Sequence, residues 1–102
     1  MTVHYLRVAE LCVQLAIDES FVERMGDEGL IEIKRTADDQ RVVSPEDAER
    51  LRLIAVLTRE MDVNLAGVEV ILHMRDDLCA MQRQFDAILR ELVDELRRRL
   101  DR

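Results

Sequence analysis

Two cysteines and two histidines are the side chains of this sequence best suited to metal binding or nucleophilic chemistry. Cys12 and Cys79 are far apart, and neither belongs to a CxxC pair. His4 and His73 are equally isolated. Thiolate metal sites need about three or four ligands. The sequence also has no Gly-rich phosphate loop and no paired nucleophile and base. We therefore expect no catalytic residues, no metal site and no cofactor.

Carboxylates are the reactive groups that the sequence does supply in number. The chain of 102 residues has a net charge of −7, and residues 1–47 carry eleven acidic and five basic side chains. Five of the acids fall in one short stretch whose one basic residue is Arg24: Asp18, Glu19, Glu23, Asp27 and Glu28. DNA carries a negative charge about every 1.7 Å and is bound mainly through Lys and Arg. The acidic stretch therefore favours a basic protein partner over nucleic acid or an anionic membrane.

Two short helices are predicted to position this acidic stretch. Apolar residues at helical spacing predict a first helix over Leu6–Ala16. Asp18 is a favourable N-cap residue for a second helix, and Ile17 with Val22 has the spacing of a hydrophobic staple. Gly29 is a favourable residue just beyond the end of that helix. Two short helices joined by a tight turn are typical of a helix-turn-helix.

A β-hairpin and a third helix are predicted to follow. Leu30–Lys34 alternates apolar and polar residues and predicts a strand. After a polar turn, Arg41–Val43 is the predicted return strand, so the pair forms a small two-stranded wing. Ser44 as N-cap and Pro45 at the first helical position predict the start of the third helix. Its apolar face is expected to continue inward as far as Met61.

The last third of the sequence predicts a long helix that packs against another helix. Asn64 is the predicted N-cap of a short fourth helix, Leu65 to about His73, and a long helix is predicted over Asp76–Arg102. Its apolar residues predict a coiled-coil seam formed by Leu78, Met81, Phe85, Ile88, Leu92 and Leu96. The seam could pack on the chain's own domain, but that domain offers too little core to cover it. We therefore favour a second chain, and predict a winged domain at 1–74 and a dimerisation helix at 75–102.

The order of these elements and several motifs resemble the MerR superfamily. The motifs are the start of helix 1 in Val8-Ala9-Glu10-Leu11, the end of helix 2 in Glu28-Gly29-Leu30-Ile31, the wing-to-helix segment Arg41–Leu51, and the helix-4 segment Val63–Leu72. The resemblance covers nearly the whole chain. It implies a mainly α fold, a winged helix-turn-helix with a two-stranded wing and a long C-terminal dimerisation helix, assembled as an antiparallel dimer.

The sequence departs from the DNA-binding and metal-sensing members of that superfamily. The Arg–aromatic pair that DNA-binding members carry in helix 2 is missing from Phe21–Met25, and Arg41 is followed by valines where their wing has aromatic residues. Cys79 matches the first cysteine of metal-sensing members, but the other two cysteines are missing.

A small acidic member with these departures is most similar to the chaperone-modulator (CbpM-type) family, whose Asp-Asp near the start of the long helix is matched by Asp76-Asp77. This resemblance implies a homodimeric adaptor that binds the J-domain of a DnaJ-like or CbpA-like co-chaperone and inhibits it. The five acids of the second helix are then the expected partner-binding residues.

The sequence allows two other interpretations. One is a MerR-type transcriptional regulator that binds operator DNA as a dimer, with phosphate contacts from Arg7, Arg24, Lys34, Arg35 and Arg41, because local clusters matter more than total charge. The other is that the acids form a solvated face with no partner.

The sequence also predicts a location. It has no run of about 18 apolar residues, and its N-terminus lacks the basic-then-apolar pattern of a signal peptide. Together with two free thiols, these features predict a cytoplasmic protein with no membrane partner.

Overall fold

The structure, a computed structural model, describes residues 4–101. The elements in chain order are β1 (Leu6–Arg7), α1 (Val8–Leu15), α2 (Glu19–Asp27), β2 (Lys34–Arg35), β3 (Arg41–Val43), α3 (Pro45–Ala55), a π-helical turn (Val56–Glu60) and α4 (Leu65–Leu100). The predicted mainly α fold, with a small sheet and a long C-terminal helix, is confirmed. The chain divides into two compact units, the first ending at Glu69 and the second beginning at Val70.

The first helix is shorter than the sequence predicted. Leu6 and Arg7 form β1 and pair antiparallel with Val43 and Val42 of β3, so α1 begins only at Val8. The side chains on its inner face, among them Leu11 and Cys12, are buried. The wing hairpin therefore belongs to a sheet with a third strand, in the order β1-β3-β2.

Helix α2 begins and ends where the sequence places it. Asp18 is the N-cap residue, although its side chain makes no capping hydrogen bond. At the other end Gly29 has a φ of 76°, a conformation that residues with a Cβ rarely adopt. The Gly29 N–H donates to the carbonyl of Gly26, and the Leu30 N–H donates to that of Met25, both at 3.0 Å. This is the Schellman arrangement, and it buries Leu30 close to the end of α2.

The wing strand after α2 is displaced from its predicted position. Of the predicted strand Leu30–Lys34, only Lys34 lies in a strand, and β2 extends to Arg35. The hydrogen bond from the Leu30 N–H to the Met25 carbonyl keeps the start of this segment in the turn that ends α2. The start of the segment therefore cannot pair as a strand. Leu30 and Ile31 are buried as part of the core of the first unit.

Helix α3 starts as predicted but ends differently. The Ser44 hydroxyl accepts a hydrogen bond from the Asp47 N–H at 3.1 Å, and Pro45 occupies the first turn. After Ala55 the helix widens into the π-helical turn, in which the Thr58 hydroxyl donates to the carbonyl of Ile54 at 2.8 Å. The wider turn rotates the residues that follow it. The prediction that Met61 faces the core is therefore wrong, and Met61 is exposed.

Helix α4 is continuous where the sequence predicted two helices. Asn64 caps it as predicted, since its Oδ1 accepts the Gly67 N–H at 2.9 Å. No Gly or Pro follows Gly67, and nothing local ends the helix near His73. The predicted break before Asp76 is therefore wrong. A Cβ added at Gly67 would lie 2.7 Å from Cγ1 of Val63, so this glycine allows close packing at the start of the helix.

Candidate protein-binding surface on the second helix

The position of α2 in its own unit fixes which of its side chains face solvent. Val22 and Met25 are buried, so the opposite side of the helix is turned outward. The predicted partner-binding acids lie on that outward side or at the helix ends: Asp18, Glu19, Glu23, Asp27 and Glu28. Glu23 is half-buried and the other four are exposed. The structure therefore distributes the five acids over the length of one short helix.

The wing supplies a counter-ion to two of these acids. Arg41 of β3 directs one terminal guanidinium nitrogen to a carboxylate oxygen of Glu19 and the other to a carboxylate oxygen of Glu23. The Arg41 side chain is 20% exposed, whereas those of Glu19 and Glu23 are 53% and 45% exposed. One cation thus bridges two carboxylates that are one helical turn apart, which is a favourable geometry for the planar guanidinium.

The other three acids have no such counter-ion among the described residues. Asp18, Asp27 and Glu28 are exposed, and no ion pair is formed by any of them within residues 4–101. Asp27 also lines an open groove of about 340 Å³ together with Glu23 and Glu32. The apolar parts of that groove come from Ile31 and Ile33. Arg35 and Arg41 line the groove as well, so three carboxylates share it with two guanidinium groups.

A glycine allows the segment after α2 to pack closely against the helix and form this groove. A Cβ added at Gly26 would lie 3.0 Å from Cδ1 of Ile33, which is tighter than ordinary van der Waals contact. Ile33 therefore packs against the α2 backbone, and the groove lies beside that contact.

The five basic residues of the DNA-binding interpretation lie on the sheet and on α2. Val42 of the middle strand β3 pairs with Arg7 of β1 on one side and with Lys34 of β2 on the other, and Arg41 pairs with Arg35 of β2. The sheet thus brings four of the five cations together, while Arg24 lies on the exposed side of α2. Their positions alone would suit a phosphate-binding surface.

Most of these cations are already engaged within the protein. Arg41 is bound to the two glutamates, and Arg35 pairs with Asp39 at 3.0 Å. Lys34 donates to the Tyr5 hydroxyl at 3.3 Å and lies 5.4 Å from the ring centroid, and the pKa of Lys34 is raised mainly by that hydrogen bond. Arg7 and Arg24 make no ion pair within the part of the chain that the structure describes.

The predicted seam on α4 is exposed in the second unit. Its six residues are between 55% and 64% exposed: Leu78, Met81, Phe85, Ile88, Leu92 and Leu96. Leu89, Val93 and Leu100 widen this apolar face toward the C-terminal end of the helix and are exposed as well. An apolar face of this length marks an interaction surface in soluble proteins.

The thiols are separated in the structure as they are in the sequence. Cys12 is buried in the first unit, and burial raises the pKa of its thiol, with a smaller contribution from the charge of Glu19. Cys79 is partly exposed on α4. Among residues 4–101, no three or more His, Cys, Asp or Glu side chains are arranged to hold a metal ion. No helix in the same range is long and apolar enough to cross a membrane.

One residue important to the helix-turn-helix was missed in the sequence. Arg59, in the π-helical turn, donates to the carbonyl oxygens of Leu15 and Ala16 at the C-terminal end of α1. The last turn of α1 has no basic residue of its own, and a cation there complements the helix dipole. That missing charge was the one sequence signal that could have pointed to a distant cation.

The order of the elements, with two short helices, a small sheet and a long C-terminal helix, is that of a winged helix-turn-helix protein. A family model described as MerR HTH family regulatory protein matches residues 6–97. The chain therefore belongs to the MerR helix-turn-helix family. No curated protein matches the sequence.

Proposed function

We propose that this MerR-family protein is an adaptor of the chaperone-modulator type, which binds the J-domain of a DnaJ-like co-chaperone and inhibits its activity. The observation that carries the proposal is the charge of α2. Five carboxylates stand on the helix where a DNA reader needs cations, and the nearest wing cation, Arg41, is bound to two of them. The resemblance to chaperone modulators supplies the identity of the partner.

Charge complementarity explains how such an adaptor would inhibit. A J-domain presents a basic helix to its Hsp70-type partner, and an acidic surface that covers this helix competes with the chaperone for it. Complementary charges mainly set the rate of encounter and the choice of partner, while apolar contacts supply affinity. The acids Asp18, Asp27 and Glu28, which form no ion pair among residues 4–101, supply the charge, and the partly exposed Ile33 in the adjoining groove supplies apolar contact.

Dimerisation through α4 is part of the same proposal. The exposed seam from Leu78 to Leu96 is covered when two copies pair along it, in the antiparallel manner that the family resemblance implies. In this arrangement residues 1–74 form the partner-binding domain and residues 75–102 form the dimerisation helix. Each dimer then carries two acidic α2 surfaces.

The test of the proposal is direct binding to a purified J-domain, measured by titration calorimetry at about 50 mM and about 300 mM salt. We expect binding at the lower salt concentration and weaker binding at the higher one. Absence of binding at low salt would refute the proposed partner.

A charge-reversal variant locates the binding face. Replacing Asp27 and Glu28 with Lys puts cations at the C-terminal end of α2, where they complement the helix dipole and leave the fold intact. We expect the affinity for the J-domain to fall by roughly tenfold. Glu60→Lys with Glu91→Lys makes the same change in net charge at exposed positions outside α2. Equal losses in the two variants would place the binding face elsewhere.

A DNA-binding regulator is the second candidate. The MerR-family match favours it, and so do Arg7 and Arg24, which are exposed and form no ion pair among the described residues. A gel-shift assay with the DNA upstream of the protein's own gene, at about 50 mM salt, tests it directly. A specific shift that persists in the presence of excess competitor DNA would favour this function over the adaptor.

A further inference from the structure

We propose that Arg41 is an internal counter-ion that determines the specificity of α2. Its ion pairs with Glu19 and Glu23 limit how strongly the helix binds cationic partners. The same ion pairs keep the Arg41 guanidinium from binding phosphate groups. The inference rests on the proposed use of α2 as the binding face and adds its regulation. The observation behind it is that the wing places a guanidinium on the very acids that a basic partner would use.

The geometry of the contact favours a persistent ion pair. Glu19 and Glu23 are one turn apart on α2, and each receives a different terminal nitrogen of Arg41. The backbone of Arg41 lies in the middle strand of the sheet, paired with Arg35 of β2, and the next residue, Val42, is buried. The strand is therefore fixed, and the contact breaks only when the side chain of Arg41, Glu19 or Glu23 changes rotamer.

This contact places a tethered competitor at two of the five acids. A lysine or arginine of a partner that approaches Glu19 or Glu23 has to displace a guanidinium already held there at high local concentration. The free energy of the new ion pair with the partner is therefore offset by the loss of the ion pair with Arg41. The acids that a partner can use without this exchange are Asp18, Asp27 and Glu28. Removing the Arg41 charge makes all five available.

The same contact has the opposite consequence for nucleic acid. Arg41 is the least exposed of the five cations proposed to contact phosphate, and the two carboxylates beside it repel a phosphate that approaches. Neutralising Glu19 and Glu23 both releases the guanidinium and removes that repulsion. One pair of substitutions is therefore expected to move the surface from cation binding toward anion binding.

The first test measures the affinity for a cationic probe, a helical peptide of about 20 residues rich in lysine, by fluorescence anisotropy at about 50 mM salt. Arg41→Gln is expected to bind the peptide roughly fivefold more tightly than the unmodified protein, since it exposes two partly paired carboxylates. Arg52→Gln is the control, because it removes the same charge from an arginine paired with Glu49 on α3. Equal affinities of Arg41→Gln and Arg52→Gln would overturn the proposal.

The second test measures binding to a random DNA duplex of about 25 base pairs under the same conditions. The double variant Glu19→Gln/Glu23→Gln is expected to bind the duplex at least fivefold more tightly than the charge-matched control Asp86→Asn/Glu91→Gln. Adding Arg41→Gln to the first double variant should remove most of that gain, leaving only the part that comes from the lost repulsion. A gain that survives undiminished without Arg41, or a double variant that binds no better than its control, would contradict the inference.

Thermal melts followed by circular dichroism establish that each variant is folded. If Arg41→Gln does not fold, Arg41→Lys replaces it, because lysine keeps the charge but cannot bridge both carboxylates in the planar guanidinium geometry. We then expect about a twofold gain in peptide affinity over the unmodified protein, and no gain would overturn the proposal.

These tests are separable from that of the proposed function. If the J-domain does not bind but Arg41→Gln binds the peptide more tightly than Arg52→Gln does, the adaptor function fails and the role of Arg41 stands. If the J-domain binds and Arg41→Gln has the same affinity for the peptide as Arg52→Gln, the adaptor function stands and the proposed role of Arg41 fails.

Discussion

The apolar side of α2 is buried, whereas the apolar seam of α4 is exposed to solvent. The apolar side of α2 is covered within its own unit, where Val22 and Met25 are at most 2% exposed, and its carboxylates face outward. The apolar seam of α4 is itself outward, with every seam residue more than half exposed. Both helices are amphipathic, but the seam of α4, unlike the apolar side of α2, is not covered within its own compact unit.

The difference separates two tasks that an interaction protein has to perform. A helix whose apolar face is already buried can change its outer charges at little cost to the fold, so α2 is free to determine which partner is chosen. A helix whose apolar face is open needs another surface to cover it, because exposed leucines favour association in water. In the proposed adaptor, α2 therefore determines the choice of partner and α4 supplies the affinity between copies.

The largest expected effect comes from placing a charge in the α4 seam. Ile88→Glu inserts two carboxylates into the proposed dimer interface, one from each copy, and removes two isoleucines that the proposed dimer would bury. We expect the dimer dissociation constant to rise by at least about 100-fold, from about 2 kcal/mol lost per side chain. Light scattering coupled to gel filtration measures it. Ala87→Glu is the control, since the adjacent residue lies off the seam, and a dimer that survives Ile88→Glu would place the interface elsewhere.

A smaller effect is expected from the covered face of α2. Val22→Ala removes two methyl groups from a fully buried position, so the free energy of unfolding should fall by about 2 kcal/mol. Val13→Ala makes the same truncation on α1 at a side chain that is 84% exposed and should change it by less than about 0.5 kcal/mol. Urea denaturation measures both. Similar losses would mean that α2 is not covered by its own unit.

The reactivity of the two cysteines gives a chemical measure of the difference between the buried first unit and the exposed α4. The thiolate is the reactive form, and burial raises the pKa of Cys12, so at pH 8 this thiol is both shielded and more fully protonated. Cys79 is accessible on α4. We expect iodoacetamide to alkylate Cys79 at least about tenfold faster, as followed by mass spectrometry. In urea the two rates should converge, and equal rates in the native protein would show that α1 opens readily.

Elements set by local chemistry were predictable from the sequence. Ser44 with Pro45, Asn64 and Gly29 each begin or end a helix through bonds to residues no more than four positions away, and all three were placed correctly. The break predicted near His73 was wrong because no residue there has the chemistry to end a helix. A strict reading of local signals would have given one continuous α4.

Features that depend on distant partners were not predictable. Leu6 and Arg7 become a strand only because β3 lies beside them, and the helical spacing of the residues that follow concealed this. The contact of Arg41 with Glu19 and Glu23 joins residues about twenty positions apart. Its existence changes the meaning of the acidic stretch, since two of five charges that looked available in the sequence already hold a cation.

The pairing of β1 with β3 and the capping of α1 by Arg59 also bear on how this module can be moved between proteins. The strand before α1 needs a partner that ends at Val43, and the carbonyls at the end of α1 need a donor at position 59. A fragment containing only α1, α2 and their turn lacks both. The helix-turn-helix is thus not a portable unit, and a graft that keeps its geometry has to carry the chain through the π-helical turn.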